Sequence, residues 1–230
     1  MKIKVVRDPL FALIIDDMID TSINKAIYNE AIALQNKFED AIVHQANGIG
    51  IKDTKYRNNK VCYYDNIYWN KNNSKEKNEK LRKSSSLLNA VDNMLVNDND
   101  FRKLLQTSPY PLCELWKTNE HYTQVSSYGY NESQKYDWHP DAGVGSNRLI
   151  SMVYYFSKNP HKFNGGELLL TSSPVIKTEL VEKNPRVIAI DPKNNRIVVF
   201  ASSTPHCVQM TSKVNKFEDA RFSANIWIGI

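Results

Sequence analysis

From about Thr123 onward the chain is a run of short β-type segments: VSSYGY, KYDWH, LISMVYYF, GELLLT, RVIAID, RIVVFAS, HCVQMT and RFSANIWIGI. Turn clusters rich in Asn, Pro, Gly or Lys separate them, and no helical pattern intervenes. Many short strands with turn signals between them predict a sandwich or closed barrel of jelly-roll type. The first half reads differently. Residues 1–9 predict an edge strand closed by Pro9, and a helix follows over 23–35 with Ser22 before it. Residues 44–60, with Gly48 and Gly50, read as a loop with an extended segment. VCYYDNIYW (61–69) reads as strand around an Asp-Asn turn, and 71–83 as a solvated loop leading into a helix. Residues 84–106 predict helix, with Leu87, Leu88, Val91, Met94 and Leu95 on one stripe.

At 230 residues and 41% hydrophobic, the chain can bury a sizeable core. It has no Gly/Ser linker and no internal repeat. The expected organisation is one structural unit: a helical and extended region over 1–110 packed on a β core over 111–230. The net charge of +5 is spread along the chain and does not by itself indicate a nucleic-acid binder. The apolar run 10–15 ends at Asp16-Asp17, too short for a signal segment or a membrane span. A soluble, cytoplasmic protein is the expectation. Three cysteines, Cys62, Cys113 and Cys207, have no pairing or zinc-type spacing and read as free thiols.

Residues 139–141 are His-Pro-Asp. At a strand end, positions i and i+2 share a face, so His139 and Asp141 can reach one metal while Pro140 donates no ladder hydrogen bond. A third ligand must come from a distant strand, and His206, after FASSTP, is the best candidate. Cys207 beside it points to the opposite face. Two imidazoles and one carboxylate leave further metal positions open, the ligand pattern of non-haem Fe(II) oxygenases. His44, His121 and His161 have no carboxylate two positions on and read as surface or satisfied histidines. His-Pro-Asp also marks J-domain co-chaperones, where helices flank it; here strand-like sequence does.

In RFSANIWI, Arg221, Ser223, Asn225 and Trp227 share one face, while Phe222, Ala224, Ile226 and Ile228 form an apolar one. Arg221 then points into the barrel, and a buried arginine needs an anion. Its planar fork suits a carboxylate, to which Ser223 can add a hydroxyl. An internal Arg–Asp or Arg–Glu pair is the competing reading. By the same alternation Leu149, Ser151, Val153 and Tyr155 share an inward face, so Tyr155 can join Arg221. Tyr128 and Tyr136 precede the metal pair and can line the same pocket.

These motifs together, HPD, VYYFSKN, GGELLL, RIVVF, PHCVQ and RFSANIWI, resemble the catalytic domain of the 2-oxoglutarate and Fe(II)-dependent oxygenases, in the prolyl 4-hydroxylase-like branch. The resemblance implies an α+β, mainly β fold: a double-stranded β-helix (jelly-roll) core with N-terminal helices packed on it. It implies His139, Asp141 and His206 as iron ligands, Arg221 as the cosubstrate-carboxylate arginine and Tyr155 as its helper. It further implies Fe(II) and 2-oxoglutarate as cofactors, with ascorbate to re-reduce iron. The implied reaction takes O2, releases CO2 and succinate, and hydroxylates a C–H bond of a prolyl or other protein side chain. A small metabolite is the alternative substrate, and a non-catalytic jelly-roll binding module the alternative of another class. The nucleic-acid dealkylating branch carries a second arginine where this chain has Trp227, which argues against nucleic acid. The charged insert KVNKFED (213–219) lengthens the interval from His206 to Arg221, and a longer hairpin is expected there.

Overall fold

The computed structural model describes residues 1–44, 50–117, 121–143 and 146–229. In chain order the elements begin with β1 (Lys2–Val6), β2 (Ala12–Asp16) and helix α1 (Thr21–Ala33). Three two-residue strands follow, β3 (Glu39–Asp40), β4 (Val43–His44) and β5 (Gly50–Ile51), and then β6 (Lys60–Tyr63). Four helices come next: α2 (Tyr64–Ile67), α3 (Lys75–Lys83), α4 (Ser86–Asn97) and α5 (Asn99–Gln106). The second half holds β7 (His121–Tyr128), β8 (Gln134–His139), β9 (Arg148–Phe156), β10 (Leu168–Thr171), the small hairpin β11 (Val175–Ile176) and β12 (Glu179–Leu180), β13 (Val187–Ile190), β14 (Arg196–Ala201), β15 (His206–Thr211) and β16 (Arg221–Gly229).

The protein is mainly β. Eight strands pair in the order β1-β2-β14-β9-β16-β7-β6-β3, and four in the order β13-β10-β15-β8. One face of the large sheet carries Phe222, Ala224, Ile226 and Ile228 and packs against Ile27 and Ala31 of α1 and Leu87, Leu88 and Val91 of α4. Its other face meets the four-stranded sheet across Val153, Tyr155, Val198, Phe200, Leu168, Leu170 and Ile190. Burying each such side chain contributes on the order of 2 kcal/mol. Period-2 alternation on the strands therefore feeds two cores, one under the helices and one between the sheets.

The eight expected strands of the second half are all present. All five residues of the predicted helical stripe are buried, but the stretch is two helices, because Asp98 ends α4 and caps α5 by accepting from Phe101 N at 2.8 Å. Three expectations are corrected. The first helix is capped by Asp20, which accepts from Ser22 N at 2.7 Å, rather than starting after Ser22. Residues 61–69 are strand only as far as Tyr63; α2 then turns Tyr64 into the core. There Asp65 accepts from Arg82 Nη1 at 2.6 Å and from the backbone of Thr123 at 2.5 Å, so tertiary partners override β propensity. The insert 213–219 is not a hairpin, since β15 and β16 lie in different sheets. It crosses between them, anchored by the backbone bond from Val214 to Gly129 (2.7 Å) and by Phe217 packed on Phe38 and Phe222. Of the loop expected over 44–60, residues 45–49, Gly48 among them, fall outside the described residues. Among the described residues no helix is long and apolar enough to cross a membrane.

Candidate active site

Antiparallel pairing of β15 with β8 sets His206 directly opposite His139. Their ring centroids are 4.3 Å apart, and His206 Nε2 lies 3.5 Å from Asp141 Oδ2. One ligand atom from each of the three residues lies within 4.8 Å of the other two, so they could hold one metal ion. Asp141 follows the end of β8, where its backbone N–H donates to Ser202 O at 2.9 Å. Pro140 before it ends the ladder and also touches the cavity.

The tautomers follow from the partners. His139 Nδ1 faces the Asp137 carbonyl at 2.7 Å, and His206 Nδ1 faces the Thr204 carbonyl at 2.9 Å. A carbonyl only accepts, so each Nδ1 carries a proton and Nε2 is the nitrogen left to face a metal. Burial, then the neighbouring His206, pushes His139 well below the usual imidazole range, so the ring is neutral. Its plane is fixed by Tyr136, stacked at 3.5 Å between centroids. Burial works to raise the Asp141 carboxyl. The two imidazoles and the Ser151 hydroxyl, which donates to Oδ2 at 2.6 Å, outweigh it, and the net shift is downward. Ser202 Oγ lies 2.9 Å from Ser151 Oγ and extends this support.

A cavity of about 740 Å³ opens on these residues and is lined by both sheets. Arg221, at its inner end, is 1% exposed. Its Nε donates to Gly166 O at 2.8 Å and its Nη1 to Ser223 Oγ at 3.2 Å, and its guanidinium lies 4.8 Å from the Tyr128 ring centroid and 5.0 Å from that of Tyr155. Among the described residues no carboxylate lies within ion-pair distance of it. The internal ion pair that competed in the sequence is absent there. Nearby, Tyr155 Oη and Thr211 Oγ1 are buried without a hydrogen-bond partner. Burial, opposed by Arg221, pushes the Tyr155 phenol up to about 12, so it remains a donor. An unpaired buried cation beside two orphaned hydroxyls is a donor set that fits a carboxylate.

All eight residues singled out in the sequence, His139, Asp141, His206, Arg221, Ser223, Tyr155, Tyr128 and Tyr136, line this one cavity. Cys207 points away and is buried, its thiol pushed up to about 12. His121 is satisfied by Asp92 and Thr123, and His161 by the Phe163 carbonyl. Sequence reasoning gave Ser151 a face but no role, and missed Thr211, Ser202, Gly166 and Arg57. Gly166 carried a signal: a Gly-Gly pair beside a strand. It has φ +77°, and a Cβ there would meet Arg221 Cδ and Thr211 Oγ1, both at 2.7 Å.

Residues 123–229 match the family model described as the 2OG-Fe(II) oxygenase superfamily. An uncharacterized PKHD-type hydroxylase of Synechocystis sp. is 32% identical over 127 residues, 54% of this chain and 39% of that protein. The chain thus spans about two fifths of the length of this curated relative. Among solved structures, a prolyl hydroxylase of Trichoplax adhaerens, in complex with a hypoxia inducible factor oxygen degradation domain peptide fragment, aligns with TM-score 0.58 at 17% identity, covering 95% of this chain and 83% of that one. A prolyl-4-hydroxylase of Pseudomonas putida aligns with TM-score 0.58 at 14% identity, covering 95% and 92%. At these identities the likeness is one of fold.

Proposed function

We propose that this chain is an Fe(II)- and 2-oxoglutarate-dependent dioxygenase of prolyl 4-hydroxylase type, a reading supported by the match of residues 123–229 to the model of the 2OG-Fe(II) oxygenase superfamily. The observation that carries the reading is the unpaired Arg221 in the same cavity as an open His-Asp-His face. We read the two facing sheets as a double-stranded β-helix over 111–230. The region 1–110 packs on it as part of one unit, supported by β1, β2, β3 and β6 joining its large sheet.

When bound, ferrous iron and 2-oxoglutarate supply the dioxygen activation and decarboxylation that hydroxylate a C–H bond. The chain supplies geometry. His139 and His206 turn Nε2 toward the metal site because their Nδ1 protons are held by backbone carbonyls. Asp141 stays ionised, and Ser151 holds one of its oxygens. Arg221 receives the far carboxylate of the cosubstrate, with Tyr155 and Thr211 donating their free hydroxyl protons and Ser223 and Gly166 fixing the guanidinium. Tyr128 closes the inner end and excludes water.

A prolyl or other protein side chain is the favoured substrate, supported by the PKHD-type relative and the peptide-bound prolyl hydroxylase. A small metabolite is the second candidate. A non-catalytic module would have lost a ligand, and all three candidates converge here. Three unpaired thiols support a reducing, cytoplasmic setting. The test is succinate release from 2-oxoglutarate with Fe(II), wild type against Asp141→Ala. Metal-dependent release in the wild type and its loss in the variant are expected; no metal-dependent release from the wild type overturns the reading.

A further inference from the structure

We propose that the substrate of this cavity carries a carboxylate and that Arg57 receives it. The proposal rests on the oxygenase reading above. Arg57 comes from the segment before β6, which straps the sheet edges together: Tyr56 O accepts from Asp137 N on β8 at 2.9 Å, and β6 pairs with β7. The side chain is 8% exposed and lies on the cavity wall. Its Nε donates to Asn59 Oδ1 and its Nη2 to Gln124 Oε1, both at 2.8 Å, and the guanidinium lies 4.4 Å from the Tyr136 ring centroid. These partners are neutral. They aim the charge without compensating it, and both amides are themselves buried, at 1% and 3% exposure. Nη1 makes no hydrogen bond, and no carboxylate lies within ion-pair distance, among the described residues. A buried guanidinium stays charged, so such a site gains strongly from an incoming anion.

The cosubstrate does not supply that anion. Of its two carboxylates, one is matched by Arg221, Tyr155 and Thr211, and the other belongs to the keto-acid end at the metal. The described lining holds one carboxylate, Asp141, which also faces the metal, and three arginines, Arg57, Arg148 and Arg221. Arg148 sits 4.0 Å from the Trp227 ring centroid and donates to the Asp141 carbonyl rather than to a carboxylate. With metal and cosubstrate in place, Arg57 and Arg148 remain uncompensated. Register sets the strand position that anchors Arg57 apart from that of Arg221. Arg221 pairs with Tyr128, and Asn225 pairs with Gln124, the residue that holds Arg57. Four residues of strand put these positions roughly 13 Å apart. A carboxylate on the substrate neutralises Arg57, whereas a neutral substrate of the same shape desolvates it without return.

The test uses protein loaded with Mn(II), which binds without turning over, and saturated with 2-oxoglutarate. N-acetyl-L-proline and N-acetyl-L-prolinamide, which differ in one carboxylate, are titrated calorimetrically into the wild type, Arg57→Gln and Arg57→Lys. The wild type should bind the acid at least about tenfold more tightly than the amide, Arg57→Gln should bring the ratio below about threefold, and Arg57→Lys should keep most of it. Metal-dependent 2-oxoglutarate binding, measured first, reports that each protein is folded and that the oxygenase reading holds; its absence from the wild type overturns that reading separately. The proposal is overturned by equal affinities in the wild type, including no binding of either probe. A preference that survives Arg57→Gln also overturns it. So does a weakening of 2-oxoglutarate binding in Arg57→Gln by about tenfold or more, which would make Arg57 a cosubstrate contact.

Discussion

Gly166→Ala should disable the inner end of the cavity without replacing a charged or hydroxylated side chain. The new Cβ would meet Arg221 Cδ and Thr211 Oγ1 at 2.7 Å each and Arg221 Nε at 2.9 Å. Ordinary contacts between such atoms lie near 3.5 Å, so a displacement of roughly 0.8 Å is forced on the Arg221 side chain or the backbone of Gly166. The backbone adds strain, because φ is +77° and a left-handed residue with a Cβ costs about 1–2 kcal/mol. Overpacking adds about 1–3 kcal/mol. The sum, about 2–5 kcal/mol, corresponds to a fall in Tm of roughly 4–20 °C for a chain of this size. Arg221 is displaced by nearly an ångström from its bonds to Gly166 O and Ser223, and 2-oxoglutarate affinity should fall by about tenfold or more. The assay is calorimetric titration of 2-oxoglutarate into Mn(II)-loaded protein, with thermal melts in parallel. Gly143→Ala is the control, since a Cβ there meets nothing within 4 Å. Wild-type affinity in folded Gly166→Ala would refute the claim that Gly166 positions Arg221.

Arg221→Met should weaken 2-oxoglutarate binding by about 2–5 kcal/mol while the ligand-free protein stays within about 1 kcal/mol of wild-type stability, because removal of an unpaired buried charge offsets two lost hydrogen bonds. Strong destabilisation with normal binding in a denaturant series would mark Arg221 as structural instead. Tyr155→Phe should cost about tenfold in 2-oxoglutarate affinity with an unchanged or raised Tm, since Tyr155 Oη has no partner to lose. Away from the cavity, Asp92 is buried against His121 and Arg82: burial raises its carboxyl, the two partners lower it further, and it settles at about 2. Its folded value is below its unfolded one, so its contribution is complete above about pH 5 and is lost as pH falls toward 2. Asp92→Asn should therefore flatten the acid limb of the stability–pH curve by about 1–2 kcal/mol, read from urea midpoints between about pH 2 and 5.

The second half of the chain was legible because its signals are local. Alternation along RFSANIWI separated Arg221 and Ser223 from the apolar face, and the His-Pro-Asp spacing put two candidate ligands at one strand end. Resemblance to a known family supplied the cosubstrate. Periodicity reports which way a side chain faces, and it does so whatever the strand pairs with. It could not report that residues 64–67 would turn helical, because Asp65 meets Arg82 and Thr123 only in the folded chain. Nor could it show that residues 213–219 pass between sheets, since a hairpin and a crossover can present the same polar insert.

By itself the sequence determined the strand series, the shared face of His139 and Asp141, and the inward arginine. Each is a statement about one residue and its near neighbours. The tertiary structure decided that Gly166 must lack a Cβ, that Thr211 faces Arg221's surroundings unpartnered, and that Arg57 enters the same cavity from a segment more than sixty residues before β7. Those facts depend on pairing register between distant strands, and register is fixed by cores and edges that no local pattern encodes.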